Sequence, residues 1–178
     1  INRPGASDLV FSPDGSLIAF PGELDGNPDV YVMNADGSDV RRLTFHPDDD
    51  EVIGWHPTRG MILFRSRRAS FSRFDRLFMI GADGRNLEEL PLHEASRGCF
   101  SPDGARIAYN RVATEDRTWK RYFGGLAQDL WLYDFATGRD RQGEDIRRSG
   151  RRGQTQQRKN QQAGGQSQCQ PKQDGHAR

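Results

Sequence analysis

Residues 11–20 read FSPDGSLIAF, and the same ten columns return as WHPTRGMILF at 55–64 and FSPDGARIAY at 100–109, starting 44 and 45 residues apart. An aromatic residue opens and closes every copy, and proline is always third. The pentapeptide FSPDG has three readings: a duplicated catalytic signature, a pair of ion-binding loops, or a turn that recurs because the architecture recurs. Residue chemistry favours the turn. Pro13 presets φ for the second turn position, Asp14 tolerates the third, and Gly15 accepts positive φ without a Cβ clash. A calcium loop needs alternating acidic ligands and a distant Glu, whereas SPDGSLIAF supplies one Asp and then apolar residues. In the middle copy Thr58 and Arg59 stand where the others have Asp and Gly, and Gly60 comes one column later. The turn there is expected to shift by one residue, with Gly60 rather than Arg59 at positive φ.

A second block follows each first one. DVYVMNADG, RLFMIGADG and DLWLYDFATG align on Tyr31, Phe78 and Trp131, each flanked by apolar residues and followed by Gly37, Gly84 or Gly138. Two copies continue into VRRLT and LEELPL; the third runs into a polar segment. Short runs rich in Val, Ile, Phe, Tyr and Trp, bounded by Pro, Asp and Gly, are strands, and Asp-Gly marks a second hairpin in the unit. Each unit is therefore a small antiparallel meander. A repeat of roughly 40–50 residues with about four strands is the pattern of a β-propeller blade. The expected fold is all-β: a partial propeller of about three four-stranded antiparallel blades spanning residues 1–142, with units near 7–50, 51–95 and 96–142.

The bland averages of the whole chain, net charge +1 and 34% hydrophobic residues, conceal two materials. Residues 1–140 carry 17 Lys and Arg against 22 Asp and Glu, whereas residues 141–178 carry 9 against 3. The latter hold ten of the eleven glutamines and, beyond Ile146, no Val, Ile, Leu, Met, Phe, Tyr or Trp. Such a segment cannot offset its ordering entropy by burial, so residues 143–178 are expected to be a disordered Gln/Arg-rich tail. A basic tail can meet phosphates, but it has no aromatic residue for base stacking; no nucleic-acid partner is expected. No run of apolar residues is long enough for a membrane helix, and no signal peptide opens the chain. The chain starts at Ile1 rather than Met, so the natural N-terminus is expected to be missing. Two cysteines, Cys99 and Cys169, do not suggest a structural disulfide.

Catalysis has no visible address. His46, His56 and His93 do not recur at ligand spacing, and His56 occupies the turn column of Ser12. HExxH, paired-Cys and GxSxG motifs are absent from the sequence. Cys99 shares the column of Val10 and Gly54 and reads as a small core residue. The acidic run HPDDDE at 46–51 reads as a water-facing loop, and no metal or cofactor is expected. The informative irregularity is a length change: the aromatic columns of the two blocks lie 20, 23 and 31 residues apart in successive units. The excess falls in RVATEDRTWKRYFGGLAQD, and long loops in compact repeat folds are where function concentrates. Arg117, Trp119, Lys120, Arg121 and Tyr122, together with Arg67 and Arg73 of the basic stretch FRSRRASFSRF, are candidate contacts for a peptide or partner. The insertion reads equally well as a structural plug over the blade, and the basic stretch as a solvated face.

FSPDGSLIAF, GNPDVYVMNADG, FRSRRASFSRFDRLF, CFSPDGARIAYNR and above all RTWKRYFGGLAQDLWLYDFATG resemble the N-terminal six-bladed propeller of tricorn proteases and their bacterial homologues over about residues 7–142. SPDG alone is shared with TolB-like propellers; the WKRY insertion before a D-W-Y strand is more selective. The resemblance implies a large, homo-oligomeric cytoplasmic serine peptidase that trims oligopeptides, with two propellers ahead of a PDZ-like module and the catalytic region. The family's nucleophile, base and oxyanion groups lie in its C-terminal part, and none maps onto this chain. The implied roles are scaffold, assembly surface and route for peptides or products, with oligopeptides and the other domains of the parent as partners. After FATGRDRQ the family pattern would continue into another blade, whereas here it turns Gln/Arg-rich, as an out-of-frame or truncated gene would produce. The alternatives are a TolB-like protein-binding propeller without peptidase activity, and a non-functional gene fragment.

Overall fold

Turn residues at fixed offsets and a two-residue alternation between them leave the backbone one economical solution, the hairpin, and every unit is built of three. In a computed structural model, which describes residues 9–24, 26–70, 74–111 and 130–143, the first sheet contains β1 (Val10–Phe11), β2 (Leu17–Glu23), β3 (Pro28–Asn34) and β4 (Arg41–Arg42). The second contains β5 (Asp50–Trp55), β6 (Met61–Ser66), β7 (Arg76–Gly81) and β8 (Glu88–Glu89). The third contains β9 (Arg97–Phe100), β10 (Arg106–Asn110), β11 (Leu130–Asp134) and β12 (Arg139–Gln142). Within each sheet the strands lie in chain order and pair antiparallel. Matched registers, Phe11 with Ile18, Trp55 with Ile62 and Phe100 with Ile107, show that the aligned columns are structural equivalents.

The FSPDG turns use more of their residues than backbone preference requires. Gly15 and Gly104 sit at φ 73° and 71°. The Ser12 hydroxyl donates to Asp14 at 2.6 Å and accepts from the Leu17 N–H at 2.9 Å, while Asp14 also accepts from the Ser16 N–H at 3.1 Å. Ser101 and Asp103 repeat the arrangement. These donors hold the Asp14 carboxyl down at about 2, led by the Ser12 hydroxyl. In the middle copy Gly60, not Arg59, takes positive φ, at 60°, as its displaced column predicts. There the His56 ring replaces the hydroxyl and carboxylate: Nδ1 accepts from the Thr58 and Arg59 N–H groups at 3.3 and 3.2 Å.

Strand alternation sends neighbouring side chains to opposite faces, and the middle sheet buries both. The face of β6 and β7 bearing Ile62, Phe64, Phe78 and Ile80 packs on Ala19, Val30, Val32 and Leu43 of the first unit. Its other face, with Met61, Leu63, Leu77 and Met79, packs on Ile107, Tyr109 and Tyr133 of the third. The front faces of the first two sheets, bearing Ala19 and Leu63, thus meet the back face of the next, and Ala108 marks the corresponding face of the third. Trp55 Nε1 donates to the Val10 carbonyl of the preceding unit at 2.9 Å, and Phe100 lies 4.6 Å from the His56 ring, centroid to centroid. β5 also touches both β1 and β9, so the first strands of successive sheets are neighbours.

One expectation changes. Cys99 is exposed rather than a core residue, because it pairs with Ala108 on the front face of the third sheet, the side turned away from the second. Phe11 is 60% exposed although Trp55 and Phe100 in its column are partly buried; its side of the first sheet faces away from the other two. The third unit also has its fourth strand, made of the polar residues 139–142. An edge strand needs backbone partners, not apolar side chains, and β12 finds them on β11. The described residues up to Gln142 belong to one compact unit; residues 144–178, and with them the expected disorder of the tail, lie outside the described residues. No described helix is long and apolar enough to cross a membrane.

The two identical pentapeptides should respond differently to substitution. Gly15→Ala meets open space and only the left-handed backbone penalty, about 1–2 kcal/mol. A Cβ on Gly104 would lie 2.4 Å from His56 Cε1, so Gly104→Ala should cost about 1–3 kcal/mol more through overpacking. Urea unfolding of the two variants measures the difference, and equal losses would contradict it.

Candidate functional site

The antiparallel order puts the ends of β2, β6 and β10 at the same edge of the three sheets as the connections into β5 and β9. Several of the described ion pairs gather at this edge. In the first sheet, Arg42 reaches the buried Asp29 at 2.6 Å, and Thr44 donates to the same carboxylate at 3.2 Å. Burial, outweighing Arg42, raises the Asp29 pKa above the ordinary carboxylate value. In the third sheet, Arg111 lies 3.8 Å over the Trp131 ring and 3.8 Å from Asp140. Asp140 also accepts from the Tyr109 hydroxyl at 3.0 Å, and burial followed by that carboxylate pushes Tyr109 up to about 12.

The basic stretch of the second sheet divides into different roles. Arg65 points to the front face, where it pairs with Glu51 and donates to Ser96 at 2.9 Å. Arg68 turns to the back face, pairs with the fully buried Asp50, and stacks over Phe64 and Phe78 at 5.2 and 5.5 Å. Both guanidiniums are nearly buried. Arg67 alone among these three is half exposed, at 54%, with its Nε held by Asp75 at 3.1 Å. It borders a cleft of about 150 Å³ lined also by Pro47, Asp48, Asp49, Glu51, Arg65 and Asp75.

The HPDDDE run supplies one wall of this cleft, and its four acids are not equivalent. Asp48 and Asp49 are exposed, Glu51 holds Arg65, and Asp50 is buried against Arg68. Asn27 pins the run by donating to the His46 and Asp48 carbonyls at 2.8 and 3.3 Å. Among the described residues no group of three or more His, Cys, Asp or Glu is arranged to hold a metal ion. Of the sequence-derived contacts, Arg67 lies at the cleft. Arg73, Arg117, Trp119, Lys120, Arg121 and Tyr122 lie outside the described residues, although the flanking Arg111 and Leu130 stand at the same edge of the third sheet. The partnership of Arg65 and Arg68 with acids 14 and 18 residues away leaves no local trace in the sequence.

His56 is tied into its turn rather than poised as a base. Burial first, and then the Arg59 charge, lower its pKa below the ordinary histidine value. The unfolded chain therefore takes up the proton first, and stability should fall as pH drops through about 6.5, levelling below the folded-state value. Thermal unfolding between neutral pH and pH 5 tests this. His56→Gln should flatten the slope over that window, and an unchanged slope would refute it.

Three four-stranded antiparallel sheets, packed front to back with their first strands adjacent, define the class: these are successive blades of a β-propeller. The chain belongs to the family of the tricorn protease N-terminal β-propeller domain, whose model matches residues 3–159. A Streptomyces coelicolor protein described as a tricorn protease homologue is 30% identical over 143 residues, which cover 75% of this chain and 12% of that protein. The crystal structure of the tricorn protease superposes with a TM-score of 0.59 at 25% identity, over 75% of this chain and 14% of that one. TolB from Acinetobacter baumannii reaches 0.60 at 23% identity, over 76% and 31%, a likeness of fold alone. The chain thus spans about an eighth of the length of the curated relative it matches.

Proposed function

We propose that this chain is the propeller portion of a tricorn-like serine peptidase, acting in the cytoplasm as scaffold and as a passage for oligopeptides or their products, with the catalytic groups elsewhere in the parent. Membership of the tricorn propeller family supports the placement. The observation that carries the peptide-passage role is the cleft at the loop edge, which offers both signs of charge. An oligopeptide carries an ammonium at one end and a carboxylate at the other. Asp48 and Asp49 suit the first, and the exposed part of the Arg67 guanidinium suits the second through charge-assisted hydrogen bonds. The insertion of the third blade would add aromatic and cationic contacts from Trp119 and Arg121, and the parent would assemble as a homo-oligomer.

Fluorescence anisotropy of a labelled oligopeptide tests the passage role on this chain. Arg67→Ala is expected to weaken binding by up to about tenfold, the equivalent of ~1.4 kcal/mol, and the Trp119→Ala, Arg121→Ala pair by more. In a full-length parent the same pair should change oligopeptide turnover or oligomer size more than Arg67→Ala does. Unchanged affinity, kinetics and assembly would reject the reading. The alternative reading is a TolB-like protein-binding propeller without peptidase activity; the presence or absence of a peptidase region in the same gene separates the two.

A further inference from the structure

The seam between the second and third blades is closed by different chemistry along its length. Its middle is apolar, with Met61, Leu63, Leu77 and Met79 against Ile107, Tyr109 and Tyr133. At the cleft edge Arg65 of the second blade donates to the Ser96 hydroxyl at 2.9 Å, and the Ser96 N–H ties that residue to the third blade by donating to the Asn110 carbonyl at 2.9 Å. At the opposite edge the closing piece is one imidazole, His56, which is 6% exposed. On one side its Nδ1 accepts from the Thr58 and Arg59 N–H groups, so the ring is neutral and carries its proton on Nε2. On the other side the ring packs on Phe100 and against Gly104 of the third blade, where a Cβ would not fit. The seam between the first and second blades has no such group. Ser12 stands there in the His56 column, and a Cβ on Gly60, the counterpart of Gly104, meets open space.

We propose that His56 is a proton-operated latch on this seam: neutral, it joins the turn at residues 56–60 to the third blade, and protonated it lets the seam part at that edge while the rest stays closed. A proton taken from solvent onto Nδ1 sets an N–H against the two N–H groups already aimed at it. The turn must then open or the ring must leave, and the ring is what fills the space between the turn and Gly104. Burial adds the cost of holding a charged imidazolium away from water. Of the charged groups that reach the ring, Arg59 opposes protonation, whereas Glu88, itself bound to Arg59 at 2.7 Å, and the Gly104 backbone favour it. The third blade presents only Phe100 and that backbone, because the Asp103 carboxylate beside Gly104 is taken by the Ser101 hydroxyl and the Ala105 N–H. The apolar middle and the Arg65 to Ser96 bond contain no histidine, so they act as the hinge. The latch is a property of the blade seam and does not depend on peptide passage or on any peptidase.

Nitrogen-15 NMR of the full chain, titrated from neutral pH to about pH 5, tests the latch. The Thr58, Arg59, Phe100 and Gly104 amides should shift together, with one midpoint below the ordinary histidine value of about 6.5 and equal to that of the His56 ring nitrogens. Hydrogen exchange, corrected for its intrinsic pH dependence, should show the opening constant at Thr58 and Arg59 rising by up to about tenfold per pH unit over that window, the slope of one bound proton. The Leu17 amide in the first turn and the Ser96 amide at the hinge should keep their protection. His56→Gln retains a neutral acceptor for the turn and should abolish the response at Phe100 and Gly104. Should that variant fail to fold, the agreement of ring and amide midpoints in the wild-type chain decides. A ring midpoint at or above about 6.5 overturns the proposal. So do Phe100 and Gly104 amides that ignore the ring, since protonation then stays within the turn. Simultaneous loss of protection at Leu17 and Ser96 overturns it in favour of global unfolding, and a response that survives His56→Gln overturns it in favour of another group.

Discussion

Replacing Phe64 with alanine is expected to destabilise the chain by about 3–5 kcal/mol, the usual cost of emptying a fully buried aromatic site. Phe64 is 0% exposed, at the centre of the interface between the first two blades. It stacks on Phe78 and lies under the Arg68 guanidinium, so its loss removes a ring contact and a cation–π contact as well as buried area. Sheets on either side hold the backbone, which limits collapse into the cavity. Phe20→Ala is the internal comparison. It occupies the same column and stacks on Tyr31 in the same way, but on the partly exposed back face of the first blade. Its loss should be clearly smaller. Urea titration gives both values, and a Phe64→Ala variant no less stable than Phe20→Ala would show that the blades do not pack on one another. A domain of ordinary stability, about 5–15 kcal/mol, would lose a large part of it to this change.

Asp50→Ala should cost about 3–5 kcal/mol by a different mechanism, the stranding of a buried charge. Asp50 is fully buried, and its partner Arg68 is only 12% exposed. Removing the carboxylate leaves the guanidinium against Phe64 and Phe78 with the Ser66 hydroxyl as its remaining neutral neighbour. The pair is not optimal for stability, because Asp50 Oδ1 is buried without a hydrogen-bond partner among the described residues. Consequently Asp50→Ala with Arg68→Met should recover most of the loss, and the double-mutant cycle should show strong coupling. Arg59→Ala supplies the exposed reference. Its bridge to Glu88 is 49% and 40% exposed on the two sides, and its removal should cost no more than about 1 kcal/mol. Additive losses at Asp50 and Arg68 would contradict the account.

These two residues also mark how far the sequence could be read. Phe64 closes the second ten-residue copy, and its burial follows from its column: aromatic, β-forming and in register with Phe20 and Tyr109. The turns were equally legible, down to the displaced Gly60, because φ preference is local and needs no tertiary partner. Arg68 was not. It reads as one of four arginines in a basic stretch, and nothing within a few residues separates it from Arg67, which is half exposed. The difference arises from which side of β6 each leaves, and from an acid 18 residues earlier that reaches the same place only when β5 pairs with β6.

The same division accounts for Cys99 and for the two FSPDG turns. Repeat spacing, turn chemistry and the two-residue alternation specified three antiparallel blades and the side of each strand on which every apolar residue stands, because these depend on backbone sterics and local pairing. Alternation cannot say whether a face is covered. Only the packing of sheets made Leu63 core and left Cys99 exposed on the corresponding face, and only that packing set His56 against Gly104 while leaving Gly15 in open space. Burial is a relation between blades rather than a property of a column, since the solvent a side chain loses is displaced by a neighbour from another part of the chain.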